Sequence, residues 1–174
     1  MREMTVFVAL LRAVNVGGTG KLSMADLKQM CEGAGFNAVR TYIASGNVVL
    51  ESGKTEGAVK AALESTLRSY AGKPVGVLVR TAGELAEVLA GDPFPKAPRN
   101  RTVVIFLDKA PPKDALKNVT GQKDEEVALG TREIYVYYPV GMGKSKLRIR
   151  AAETGTARNM NTVAKLVEMA KDAA

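Results

Sequence analysis

Apolar positions fall along this chain in short alternating runs, separated by stretches with helical spacing. Residues 4–11 form an apolar, β-rich run long enough for a buried strand. Asn15, Val16, Gly17, Gly18, Thr19 and Gly20 break it. Ser23 with Asp26 three residues on reads as a helix N-cap and capping box. The helix that follows puts Met24, Leu27, Cys31 and Ala34 on one face and stops at Gly33 and Gly35. Residues 39–43 and 47–50 read as two strands turning through Ala44, Ser45 and Gly46. A second helix begins at Thr55, carries Val59, Ala62, Leu63, Leu67 and Tyr70, and ends at Gly72 and Pro74. Val75, Val77 and Val79 then alternate as a strand. The order β-α-β-β-α-β is the ferredoxin-like pattern, with helices expected on one face of an antiparallel sheet.

Thr81 and Glu84 form another capping box ahead of a short helix through Leu85, Val88 and Leu89. Pro93, Pro95 and Pro98 exclude its continuation, because each removes a donor and fixes φ. Residues 102–107 read as a strand, and Pro111 and Pro112 as the start of a short helix through Leu116. Residues 126–129 and 133–138 are two strands turning at Gly130 and Thr131. A basic segment precedes a last helix with Met160, Val163, Leu166, Val167 and Ala170 on its apolar face. The expected class is therefore α+β. A ferredoxin-like subdomain spans 1–80, and a helix and proline-rich connector 81–100. A second small α/β subdomain with an antiparallel sheet and C-terminal helix spans 101–174.

Composition narrows the chemistry. Among 174 residues, 46% are hydrophobic and 25% charged, as in ordinary globular proteins. There is no His and one Cys, which excludes His-based triads, His-containing metal sites, cysteine zinc cages and internal disulfides. No metal and no cofactor is expected. Cys31 reads as a small buried hydrophobe. No run approaches the length of a spanning helix and no signal peptide is recognisable, so a cytoplasmic protein without a membrane partner is expected. The net charge is +7. Lys144, Lys146, Arg148, Arg150 and Arg158 against Glu153 put four of those charges between Gly141 and Arg158. Clustered basic charge favours phosphate-bearing partners.

Three segments carry candidate anion contacts. The loop with Asn15, Gly17, Gly18 and Lys21 lies between a strand and a helix, where glycine amides and a helix N-terminus favour a phosphate. It fails the P-loop pattern, with Asn15 at the first glycine and Leu22 at the hydroxyl position. The predicted hairpins also lack the parallel crossover that a P-loop needs. The segment 141–150 alternates Lys144, Lys146, Arg148 and Arg150 with Leu147 and Ile149, and Tyr135, Tyr137 and Tyr138 lie nearby as possible stacking rings. The segment 156–162 places Arg158 and Asn159 at the expected start of the last helix, another anion-binding position. The plainer readings are a tight turn, core tyrosines and simple capping, respectively.

Several motifs add up to a family resemblance. They are residues 9–18 (Ala-Leu-Leu-Arg-Ala-Val-Asn-Val-Gly-Gly), residues 41–49 (Thr-Tyr-Ile-Ala-Ser-Gly-Asn-Val-Val), and Asp92-Pro93-Phe94. The last two are Gly141-x-Gly143-x-Ser145-Lys146-Leu147 and Thr156-x-Arg158-Asn159-x-Asn161-Thr162. In this order they resemble a bacterial family known as domain of unknown function sixteen ninety-seven, over nearly the whole chain. The resemblance implies a two-subdomain α/β fold with a ferredoxin-like first part, and no established activity. Met160 stands where the family usually has Trp. The functional expectation is a phosphate-anion binding protein, for nucleic acid or nucleotide. Its contacts are drawn from Arg12, Asn15, Gly17, Gly18, Lys21, Ser45, Asn47, Lys144, Ser145, Lys146, Arg158 and Asn159. The alternatives are a small enzyme using Arg, Lys, Asn and Ser, or a protein-interaction module.

Overall fold

The computed structural model describes residues 3–12, 22–42 and 46–172. They form two compact units: the described residues up to 86 together with 165–172, and residues 87–164.

The first unit contains β1 (Thr5–Leu11), α1 (Met24–Gly33), β2 (Asn37–Tyr42), β3 (Asn47–Ser52), α2 (Glu56–Ala71) and β4 (Val77–Thr81). Its antiparallel sheet has the order β2-β3-β1-β4, the ferredoxin-like arrangement expected from the sequence. Both helices start at the caps the sequence signals. The Ser23 Oγ accepts the Asp26 amide at 3.0 Å, and the Thr55 Oγ1 accepts the Ala58 amide at 3.2 Å. Phe7, Ala9 and Leu11 face the helices and pack with Leu27, Cys31, Val59, Leu63 and Leu67. Tyr70, expected on that apolar face, is instead 50% exposed and donates to the Asp26 carboxylate.

The sheet is buried on both faces: Val8, Leu10, Val49 and Leu78, which alternate with the helix-facing residues, are all buried too. The last helix, α4 (Met160–Asp172), contributes its C-terminal half to this unit. The Arg40 guanidinium donates to the Met169 carbonyl and so ties that half to β2. After β4 comes α3 (Ala82–Ala90), entered through a reciprocal cap: Glu84 Oε1 accepts the Thr81 amide, and Thr81 Oγ1 accepts the Glu84 amide.

The second unit holds β5 (Thr102–Phe106), β6 (Glu126–Leu129), β7 (Glu133–Tyr137) and β8 (Thr156–Asn159) in the antiparallel order β6-β7-β5-β8. Val103, Ile105, Ile134, Val136 and Tyr138 pack on one face with Leu147 and Ile149. On the other face, Val104, Phe106 and Tyr135 are buried, and the Tyr135 hydroxyl donates to the Val88 carbonyl at 2.9 Å. Two further expectations fail here. Residues 113–118 form turns, not the helix expected through Leu116, because few apolar side chains follow Pro111 and Pro112 at helical spacing. Residues 156–159 are a strand and not the first turn of the last helix. The helix starts at Met160, and the Asn159 Oδ1 caps it by accepting the Thr162 amide at 2.9 Å.

Candidate functional site

The two connections of the second unit are irregular, and they meet. Residues 107–125 join β5 to β6, and residues 138–155 join β7 to β8. Thr120 and Arg148 exchange both backbone hydrogen bonds, at 3.1 and 2.8 Å. Next to this bridge, Gly121 adopts φ +69°, and a Cβ there would lie 2.0 Å from the Lys146 carbonyl oxygen. Only glycine allows that approach.

Beside the bridge opens a cleft of about 450 Å³, lined by Gly121, Lys123, Asp124, Glu125, Val140, Lys144 and Lys146. The three lysines are exposed, while Glu125 is buried. The Glu125 carboxylate is held from two sides: Ser145 Oγ donates to Oε2, and the Lys123 amide donates to Oε1 at 2.6 Å. These bonds, the Ser145 hydroxyl first, hold its pKa below the usual carboxylate range. Ser145 also accepts the Leu147 amide at 3.1 Å. Through Glu125, Ser145 thus links the segment bearing Lys144 and Lys146 to the segment bearing Lys123.

The other predicted contacts fall elsewhere. Asn15, Gly17, Gly18, Lys21 and Ser45 lie outside the described residues. Arg12 is exposed at the end of β1, and its amide donates to the Gly76 carbonyl at 2.8 Å. Asn47 is fully buried, and its Nδ2 donates to the Tyr42 carbonyl across the β2–β3 turn. Arg158 is buried on β8, where its Nη1 donates to Thr156 Oγ1 and to the Ala157 carbonyl. Burial draws its pKa down to about 10. The helix start expected beside it is occupied by the Asn159 cap. Tyr135 and Tyr138 are core side chains, whereas Tyr137 is half-buried.

The sequence-level reading missed Lys123 and Glu125. Their signal was present, since Gly121-Gln122-Lys123 is a glycine turn with a cation just before a strand. It lies well before the basic segment that begins at Gly141, and a local charge count does not reach that far. Among the described residues, no group of three or more His, Cys, Asp or Glu side chains is placed to hold a metal ion. No helix among them is long and apolar enough to cross a membrane.

The chain belongs to the family described as protein of unknown function (DUF1697), whose profile matches residues 4–135. Among solved structures it is similar to the conserved bacterial protein SP0830 from Streptococcus pneumoniae. The two are 23% identical, over 97% of this chain and 99% of that chain, with a TM-score of 0.81. At that identity the likeness concerns the fold, a mixed α+β architecture. No curated protein matches the chain.

Proposed function

We propose that this member of a family of unknown function binds a phosphate-bearing ligand, nucleic acid or nucleotide, in the cleft between the two irregular connections of its second unit. The observation that carries the reading is the convergence of Lys123, Lys144 and Lys146 on one cleft of about 450 Å³. That volume lies within the range of small-molecule sites, roughly 300–1,000 Å³. Lysine ammonium groups serve as mobile point charges for phosphate oxygens. Two carboxylates share the cleft, and one of them, Glu125, has both oxygens engaged by Ser145 and the Lys123 amide. The free charge facing a ligand is therefore dominated by the lysines.

Affinity for a single-stranded oligonucleotide measured against salt tests this. Each phosphate neutralised adds about 0.7 to the slope of log K against log salt. The triple variant Lys123→Gln, Lys144→Gln, Lys146→Gln is expected to flatten that slope by about 2. An unchanged slope, or no binding by the wild type at ~50 mM salt, sinks the reading.

A further inference from the structure

We infer that the second unit reads a base as well as phosphates, through a slot formed by Phe94 and Tyr137; this rests on the anion-binding reading above and names its ligand as single-stranded nucleic acid. The slot is a second cleft, about 540 Å³, whose lining includes Pro93, Phe94, Pro95, Lys96, Glu126 and Tyr137. The two rings stand 6.2 Å apart at 40°, and both are half-buried. At that separation the rings touch each other, so a planar heterocycle stacks on the half-exposed side of the pair and not between them, and every base has a face for this.

The slot is rigid. The Phe94 amide donates to Asp92 Oδ1 at 2.8 Å, and the Ala97 amide donates to the Phe94 carbonyl at 3.0 Å. Prolines on both sides of Phe94 fix the backbone further. A slot with its rings already in place loses little conformational freedom on binding. Tyr137 is the last residue of β7 and lies in register opposite Glu126. Tyr135, two residues earlier on the same face, is committed to the core. Tyr137 therefore differs from its neighbours in what it leaves open.

The charges around the rings fit a nucleotide. Lys96 supplies a cation for a flanking phosphate, and the Glu126 carboxylate accepts from an exocyclic amine, as on cytosine. The slot and the lysine cleft open on opposite faces of the sheet, on either side of its edge strand β6. Glu125 lines the cleft, and the next residue, Glu126, lines the slot. Successive Cα atoms lie 3.8 Å apart. A strand wrapped round the β6 edge meets lysines on one face and rings on the other. A duplex keeps its bases stacked away, and an inorganic polyphosphate has none, so a single strand is the ligand that uses both.

Fluorescence anisotropy of the full-length protein tests the slot, with labelled oligonucleotides of about twelve residues, within the span single-strand sites cover. An oligo-deoxycytidine, an oligo-thymidine and an abasic strand of equal length carry equal phosphate charge. The deoxycytidine strand is expected to bind about 10-fold more tightly than the abasic strand, the usual scale of one stacked base. Phe94→Leu keeps an apolar side chain without the ring and is expected to erase most of that preference, with affinity for the abasic strand unchanged. Tyr137→Phe retains the ring and is expected to retain the preference, and circular dichroism checks that both variants fold. Equal affinity of the wild type for deoxycytidine and abasic strands overturns the base slot and leaves the lysine cleft standing. Binding of neither strand removes the lysine cleft and the slot together. Thymidine bound as tightly as deoxycytidine overturns the role given to Glu126.

Discussion

The two units carry the same sheet. In each, the four strands in chain order pair as second, third, first, fourth, all antiparallel. The likeness extends to a side chain. Arg80 on β4 lies opposite Val8 of the central strand, and Arg158 on β8 lies opposite Val104. Both arginines are buried, and each donates Nη1 to the carbonyl of the residue before it. What differs is the connections. The first unit crosses over through α1 and α2, whose capped, apolar faces seal one side of the sheet. The second crosses through two irregular segments that hold each other by the Thr120–Arg148 bridge. A helix satisfies its own backbone groups and leaves a closed surface. Irregular segments must satisfy theirs in pairs, and the lysine cleft lies beside such a pair. The sheet sets the scaffold, and the crossover type decides whether a cleft remains.

Glycine substitutions break this comparison most sharply. Gly72, after α2, and Gly121, at the bridge, have nearly the same φ, +71° and +69°. Around Gly72 a Cβ meets nothing within 4 Å, while at Gly121 it meets the Lys146 carbonyl. Gly72→Ala is expected to cost about 1 kcal/mol, the price of left-handed backbone alone. Gly121→Ala adds a clash with backbone and is expected to cost on the order of 3–4 kcal/mol, with loss of oligonucleotide binding. Urea denaturation of both variants measures the difference. Equal costs would mean that the bridge does not fix the cleft.

The buried arginines test whether the likeness is energetic as well as topological. Truncating either one leaves polar partners unsatisfied in the interior. Arg80→Ala and Arg158→Ala are each expected to lose on the order of 3 kcal/mol. Arg158→Met, which keeps the apolar stem, is expected to lose less, because burial already disfavours the charge at that position. If Arg80→Ala and Arg158→Ala differ by more than about 2 kcal/mol, the two positions share only a place in the sheet.

The first unit was legible because its signals are local. Ser23 with Asp26 and Thr55 mark helix starts, and apolar periods mark the faces they bury. The second unit was less so. The strand 156–159 has only Thr156 and Arg158 on its buried face, so the pattern of alternation never shows as apolar against polar. A polar strand completed by β5 is specified by its partner, a long-range term that periodicity does not contain. The candidate site divides in the same way. The basic segment with Lys144, Ser145 and Lys146 is a local feature and was visible. Lys123 joins it only through the backbone exchange of Thr120 with Arg148, and Phe94 joins Tyr137 only through the fold. Burial removed Arg158 from the exposed surface that a charge count assumes.

Alkaline titration gives the smallest effect and separates the units by chemistry. Each unit buries weak acids whose neutral form the fold retains, and Cys31 in the first and Tyr135 in the second are pushed furthest. In the first unit, burial and then the nearby Glu32 charge push the Cys31 thiol up from 9.0 to about 12. In the second, burial and then Glu133 and Asp92 push the Tyr135 hydroxyl up from 10.0 to about 12. A folded-state pKa above the unfolded value means that the unfolded chain releases its proton first. Stability from each group is whole below the unfolded pKa and is lost as pH rises toward the folded one. The loss therefore begins near pH 9 for Cys31 and near pH 10 for Tyr135. Cys31→Ala is expected to cost about 1 kcal/mol at neutral pH and to flatten the decline between pH 9 and 10. Tyr135→Phe loses the bond to Val88 and is expected to flatten the decline only above pH 10. Urea midpoints of the wild type and both variants across that range are the measurement. A decline that starts below pH 9 in the wild type and is unchanged in both variants would assign the alkaline loss to groups other than these two.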